Sequence, residues 1–376
     1  MKPAENLAKE SIKNLKPCIH GGEVLDAAGK TGLRREEILD FSSSVNPLGP
    51  SKKAIDAAKK AFSQIAAYPD SNSNELRQAI ASHFKGITKD NIIVGNGSTE
   101  LMYLFADAFM VKGDTAVIGA PTFGEYESAI KKSGEIPKFV KLNNNFNVDP
   151  SAFIREMSGA KIVFLCNPNN PTSMLIPAET LTEIIETALK QNIFVFLDED
   201  FLEFVENEKA LSMINKIEKY PNLFILRSFT KIFGLTGLRI GYGIASEEII
   251  NVLLCAKIPW NVNCIAQAAA VAALKDERHL QITRELIKKE KEQLLSELSK
   301  IDSFNIFPSD ANFFFINIRK SGFTATELTS KLLNEGILIR DCSSFRGVDQ
   351  YFIRVAVKTR VENERLIEVL KRTVKD

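Results

Sequence analysis

The sequence predicts an α/β fold: a mostly parallel sheet in a large domain, flanked by helices, followed by a smaller α+β domain. Three observations point to it. At 376 residues the chain is longer than one compact domain usually is. From Asn91 short apolar runs alternate with helical stretches, the pattern of a parallel sheet covered by crossover helices. From about Asp276 a long charged helical stretch opens a different pattern.

Residues 1–49 are punctuated by His20-Gly21-Gly22, Phe41 to Ser44 and Asn46-Pro47-Leu48-Gly49, which fits a loop or extended arm. Asn74 to Phe84 reads as an amphipathic helix. Strands are expected at 92–94, 115–118, 161–166, 193–197, 223–226 and 239–245. Helices fall between them at 99–109, 125–132, 177–190 and 210–217. The long helix runs from about Asp276 to about Lys300. After it come strand 312–318, helix 325–334, strands 337–340 and 352–357, and a final helix 361–374. The division expected is a large domain over 50–275, with 1–49 and 276–376 forming an N-terminal arm plus small domain.

Composition narrows the function. With 45% hydrophobic and 25% charged residues the chain reads as an ordinary globular enzyme. A net charge of +1 without a basic run argues against nucleic acid as the partner. No apolar stretch approaches the roughly 18 residues that span a bilayer. Met1–Lys16 is charged and lacks the apolar core of a signal peptide. Five scattered cysteines, odd in number, suit reduced thiols in cytoplasm. Without CxxC or HExxH, and with three histidines, no metal site is expected.

Several strand ends finish in unusual polar clusters, and open α/β sheets gather function at the carboxyl ends of their strands. Gly95-Asn96-Gly97-Ser98-Thr99-Glu100 opens a helix, where small residues and free amides suit an anion; alone it is equally a plain helix cap. Asn167-Pro168-Asn169-Asn170-Pro171-Thr172 is a rigid loop that presents a side-chain amide, or a simple tight turn. Leu197-Asp198-Glu199-Asp200-Phe201 carries a carboxylate out of a buried strand, which calls for a cationic or hydrogen-bonding partner. A protonated pyridine nitrogen is one such partner. In Arg227-Ser228-Phe229-Thr230-Lys231, with Arg239 beyond, a lysine just past a buried strand can be desolvated and freed for imine chemistry. Gly29-Lys30-Thr31 looks like the end of a P-loop, but Val24 stands where the required glycine belongs.

Asn-Pro-Asn-Asn-Pro-Thr, Asp-Glu-x-Phe and Ser-x-Thr-Lys with an arginine eight residues on, in that order, resemble the class I/II aminotransferase family of pyridoxal-phosphate (PLP) enzymes. The likeness runs from about residue 20 to the end. It implies a fold type I PLP enzyme, with pyridoxal 5'-phosphate as cofactor and a homodimer whose active sites lie at the subunit interface. It also implies roles. Lys231 matches the lysine that bonds the cofactor, Asp198 the carboxylate at the pyridine nitrogen, and Asn170 the donor to the ring oxygen. Ser228 and Arg239, with the amides of Ser98 and Thr99, match the phosphate cup. Phe123 matches the ring-stacking aromatic, Tyr68 the tyrosine that reaches the neighbouring subunit's cofactor, and Arg354 the arginine that grips substrate anions.

Within the family, His20-Gly21-Gly22, Asn46-Pro47-Leu48-Gly49, Pro259-Trp260-Asn261-Val262-Asn263 and Leu338-Ile339-Arg340-Asp341-Cys342-Ser343 resemble threonine-phosphate decarboxylases. Most of the pattern is shared with histidinol-phosphate aminotransferases, which usually carry tyrosine where Phe201 stands. A small phosphorylated amino acid is therefore the expected substrate, held by His20, Asn46, Arg340 and Arg354. Asp200 replaces the usual alanine and Ser173 the usual glycine.

Overall fold

The computed structural model describes residues 4–13 and 15–375. Of the charged stretch Met1–Lys16, residues 1–3 and 14 lie outside the described ones. The large sheet has seven strands: β1 (Ile92–Gly95), β2 (Thr115–Ala120), β3 (Ile136–Lys141), β4 (Ile162–Cys166), β5 (Phe194–Asp198), β6 (Leu223–Ser228) and β7 (Gly241–Ile244). Their order is β1-β7-β6-β5-β4-β2-β3. β2 to β6 run parallel, and β7 is antiparallel to both of its neighbours. The central strands are covered on both faces and so read as unbroken apolar runs. Val163, Leu165, Val195, Leu197 and Ile225 pack on one face, and Phe164, Phe196, Phe224 and Leu226 on the other. The rings of Phe164 and Phe196 lie 5.0 Å apart, as do those of Phe196 and Phe224.

This topology builds the site. The carboxyl ends of β1, β4, β5 and β6 share one edge of the sheet. Because β7 runs the other way, the residues that precede it arrive at that same edge. Arg239 is among them, and its left-handed backbone (φ 54°) delays the strand to Gly241 instead of the expected 239.

The smaller sheet is antiparallel: β8 (Asn305–Ile306), β9 (Phe313–Asn317), β10 (Arg340–Asp341) and β11 (Phe352–Ala356), in the order β10-β11-β9-β8. Helices Glu277–Leu298, Ala325–Asn334 and Arg360–Lys375 accompany it.

Several expectations need correction. Residues 1–49 are not an extended arm throughout: Val24–Thr31 is a helix, ended by Gly32 at φ 73°. Its Lys30 pairs with Asp26 at 2.6 Å, a turn away, which disposes of the P-loop likeness. Leu39–Asp40 pairs parallel with Ile337–Leu338, so the expected strand 337–340 splits between two sheets. The stretch 210–217 holds only the short turns Glu208–Leu211 and Ile214–Lys216. β3 was not expected, because Ile136-Pro137-Lys138 looks unlike a strand; it is an edge strand, where proline and lysine are tolerated. Helices Lys52–Ala61, Pro150–Met157, Glu247–Ala256 and Cys264–Leu274 were likewise unforeseen.

Candidate active site

The helix Ser98–Phe109 starts at the end of β1 through Gly97, whose φ of 83° favours glycine. A Cβ on Gly97 would fall 2.6 Å from the Arg239 guanidinium, and one on Gly241 would fall 2.5 Å from the Ser98 amide nitrogen. Backbone and guanidinium therefore close on one point. The first amides of the helix have no partner within it and face an end that favours negative charge. Ser228, at the end of β6, is fully buried, and its hydroxyl accepts from the Thr230 amide at 3.2 Å. Ser98, Thr99, Ser228 and Arg239 are thus gathered as the sequence led us to expect, in a shape that suits a phosphate.

Lys231 follows β6 and lines the same pocket, its amine 5.1 Å from the centre of the Phe201 ring. Desolvation lowers the pKa of that amine, with Asp200 the strongest charge opposing the shift. Asp198 closes β5, buried. Its Oδ2 accepts from the Tyr126 hydroxyl at 2.6 Å, and its Oδ1 from the Asp200 amide at 2.9 Å. Both donors are neutral. Burial first, then the Asp200 charge, pushes the Asp198 carboxyl up to about 8. A protonated ring nitrogen brought against it would reverse that shift. Asn170 and Phe123 line the pocket as well.

The expected substrate residues divide. His20, Arg340 and Arg354 all line the pocket, yet each has a partner in the protein. His20 Nε2 lies 2.8 Å from Glu125 Oε1, and Glu125 also accepts from the Tyr103 hydroxyl. Arg340 donates to the carbonyls of Ile19 (2.7 Å) and His20 (3.2 Å) and to the Ser344 hydroxyl. Arg354 donates to Asn170 Oδ1 and to the Ser42 carbonyl, and its buried Nε has no partner among the described residues. Burial lowers the Arg354 pKa to about 10.

Asn46 is turned elsewhere. Its amide side chain donates to the Ile232 carbonyl (2.8 Å) and the Thr283 hydroxyl (3.0 Å), while its backbone N–H donates to the Lys231 carbonyl. It braces the lysine-bearing loop instead of facing substrate. Tyr68 is 80% exposed and stacks on Trp260 with ring centres 4.7 Å apart. Sequence reasoning did not single out Tyr126, which holds Asp198, or Glu125, which holds His20. Both stand in the stretch Pro121–Tyr126 from which only Phe123 was chosen.

A desolvated amine, a buried carboxylate lacking a cation and a helix-end cup fit the aldehyde, ring nitrogen and phosphate of one cofactor on a fold type I frame. The chain belongs to the class I and II aminotransferase family, whose model matches residues 36–370, and is accordingly a PLP enzyme. It is 36% identical over 97% of its length to a histidinol-phosphate aminotransferase of Methanosphaera stadtmanae, covering 98% of that protein. It is 40% identical over 96% of its length to a protein of Caldanaerobacter subterraneus that bears the provisional name threonine-phosphate decarboxylase, covering 95% of it. Further relatives at 32% to 35% identity share the first of these names. Among solved structures it resembles the L-threonine-O-3-phosphate decarboxylase of Porphyromonas gingivalis, with a TM-score of 0.80 and 27% identity over 89% of this chain and 99% of that one. Among the described residues no helix is long and apolar enough to cross a membrane.

Proposed function

We propose that the chain decarboxylates L-threonine O-3-phosphate to (R)-1-amino-2-propanol O-2-phosphate for cobamide biosynthesis, with serine phosphate as a possible second substrate. One observation carries this: His20, Arg340 and Arg354 line the pocket of Lys231 together with Ser98, Thr99 and Arg239 of the cup. The two sets of anion-binding groups suit a cofactor phosphate and a substrate phosphate. PLP, when bound, supplies the electron sink that takes up the pair left when a bond to the substrate α-carbon breaks. Asp198 would hold the proton on the ring nitrogen, Asn170 would donate to the ring oxygen and Phe123 would pack on the ring. Lys231 would hold the cofactor's aldehyde carbon, and its desolvated amine could carry the proton that the substrate α-carbon needs once carbon dioxide has left. His20, Arg340 and Arg354 exchange their protein partners for the substrate phosphate. The substrate carboxylate would then be left without an arginine to hold it. Charge-assisted contacts can fix that geometry.

The same reading takes the chain as a cytoplasmic homodimer in which Tyr68 reaches the partner's cofactor. An exposed apolar group of Phe62, Ile65, Tyr68, Ile258 and Trp260 supports that face as the contact. We also propose the division into 50–275 and 1–49 plus 276–376. It is supported by the packing of Lys52–Ala61 on Cys264–Leu274 and by the pairing of Leu39–Asp40 with Ile337–Leu338.

A second reading is an aminotransferase acting on histidinol phosphate. It is favoured by the shared name of most relatives, and every cofactor residue serves it equally. Incubation with threonine phosphate decides between them. Carbon dioxide released without any keto-acid acceptor supports the decarboxylase; turnover of histidinol phosphate only with an acceptor, and none of threonine phosphate, overturns it.

A further inference from the structure

Asp200 lines the pocket beside the proposed cofactor cup. The residue is 7% exposed, and its Oδ2 accepts from the Ser98 hydroxyl at 3.1 Å. Ser228 is close enough to favour its charged form. Oδ1 is buried without a partner among the described residues, and the side chain lines the pocket shared with Lys231 and Arg239. Ser98, Thr99 and Ser228 are the hydroxyl-bearing residues that the proposed site gives to the cofactor phosphate. A carboxylate therefore already holds the first of them.

We propose that Asp200 is a resident anion of the phosphate cup: it holds the Ser98 hydroxyl beside Lys231 in the free enzyme and competes with the cofactor phosphate for the cup. The inference rests on the proposed assignment of the cup. Its chemistry follows from charge. Lys231 is the main cation facing Asp200, with Arg227 acting more weakly from the far face of the sheet, while Asp198 at the end of β5, Glu203 on the turn beyond and Cys166 at the end of β4 are the acidic groups around it. In the free enzyme the Lys231 ammonium balances the carboxylate. A bound phosphate brings a second anion to the same cup, and two anions at one site cannot both stay charged without cost. Burial raises the Asp200 pKa, so taking up a proton is the ready way out. Below that raised pKa the carboxyl is neutral and shares the cup. Above it the carboxylate repels phosphate, and the cofactor is held less tightly as pH rises.

The test uses the full chain loaded with PLP, or with pyridoxal, which lacks the phosphate. Retention on dilution is read from cofactor absorbance. Asp200→Asn should hold PLP about tenfold more tightly than wild type at alkaline pH, with the gap closing as pH is lowered and pyridoxal unchanged throughout. Asp200→Ala, the residue usual at this position, should move retention in the same direction. Ser228→Ala should weaken PLP and spare pyridoxal. If both Asp200 variants lose PLP or match wild type while Ser228→Ala weakens it, the cup stands and the competition is refuted. An equal gain for pyridoxal means that Asp200 acts only through Lys231, which also overturns the proposal. No effect of Ser228→Ala sinks the cup assignment itself.

Discussion

At the scale of single residues, the site is held by neighbours that spend their own hydrogen bonds on it. Asp198 is fixed by Tyr126 and by the Asp200 amide, so its position does not depend on the cofactor. Asp198→Asn keeps the shape and removes the charge that holds a proton on the ring nitrogen. The variant should keep its cofactor band, since the cup is untouched. Losing one preorganised electrostatic partner costs about 3 kcal/mol, roughly a hundredfold in kcat. Steady-state kinetics beside an absorbance spectrum check it, and a near-wild-type rate would remove Asp198 from its proposed role. Asp198 and Lys231 were legible in the sequence because each ends an apolar strand in an unusual polar cluster. Tyr126, Glu125 and the true part of Asn46 were not. Their significance lies in contacts such as Tyr126 with Asp198 and Asn46 with Thr283, between segments 72 and 237 positions apart. No local pattern records such pairings.

At the scale of elements, the buried strands were the easy part, because β4, β5 and β6 are apolar on both faces and bounded by turns. β3 was hidden by its proline and lysines, which an edge strand accommodates. The arm was misjudged because Gly21 and Gly22 signal irregularity while the helix after them is only eight residues long. Arg340 of β10 helps to tie this arm down, through the carbonyls of Ile19 and His20, beside the His20–Glu125 contact. Burial lowers the Arg340 pKa, so the guanidinium depends on these acceptors for compensation. Arg340→Ala should release the arm as well as remove a cation from the pocket. Loss of charge-assisted hydrogen bonds of about 1.5–3 kcal/mol corresponds to a roughly ten- to hundred-fold fall in kcat/KM on a phosphorylated substrate. Amide hydrogen exchange over residues 18–22 should quicken, while the cofactor band stays unchanged. If exchange and kinetics both match wild type, Arg340 neither holds the arm nor serves the substrate.

At the scale of the whole molecule, the strands that end at the site carry a second polar cluster on their opposite face. Side chains alternate along a strand, so where Asp198 and Ser228 face the pocket, Glu199 and Arg227 point the other way. Arg227 is 1% exposed, with Glu199 at 2.7 Å, Glu208 at 3.4 Å and Glu203 at 3.6 Å. Arg284 of the long helix Glu277–Leu298 joins them by donating to the Glu203 carbonyl at 2.8 Å. The cluster therefore links the large sheet to the helix that leads into the smaller one. Three carboxylates around one buried guanidinium leave a surplus negative charge, and Glu203 is the member whose buried oxygen has no partner among the described residues. Burial accordingly pushes its carboxyl up to about 8, with the nearby Glu208 charge adding to the rise and Arg227 opposing it. The sign follows from linkage. A carboxyl raised in the fold relative to the unfolded chain, where it lies near 4.3, favours the fold in its protonated form. That contribution is complete below the unfolded value and is lost as pH climbs toward about 8. Glu203→Gln keeps the shape and removes the titration. Thermal melts should show the variant more stable than wild type by several degrees at about pH 9, with the gap closing toward about pH 5. A gap that stays constant across that range would mean that Glu203 remains ionised in the fold and that Arg227 neutralises it fully.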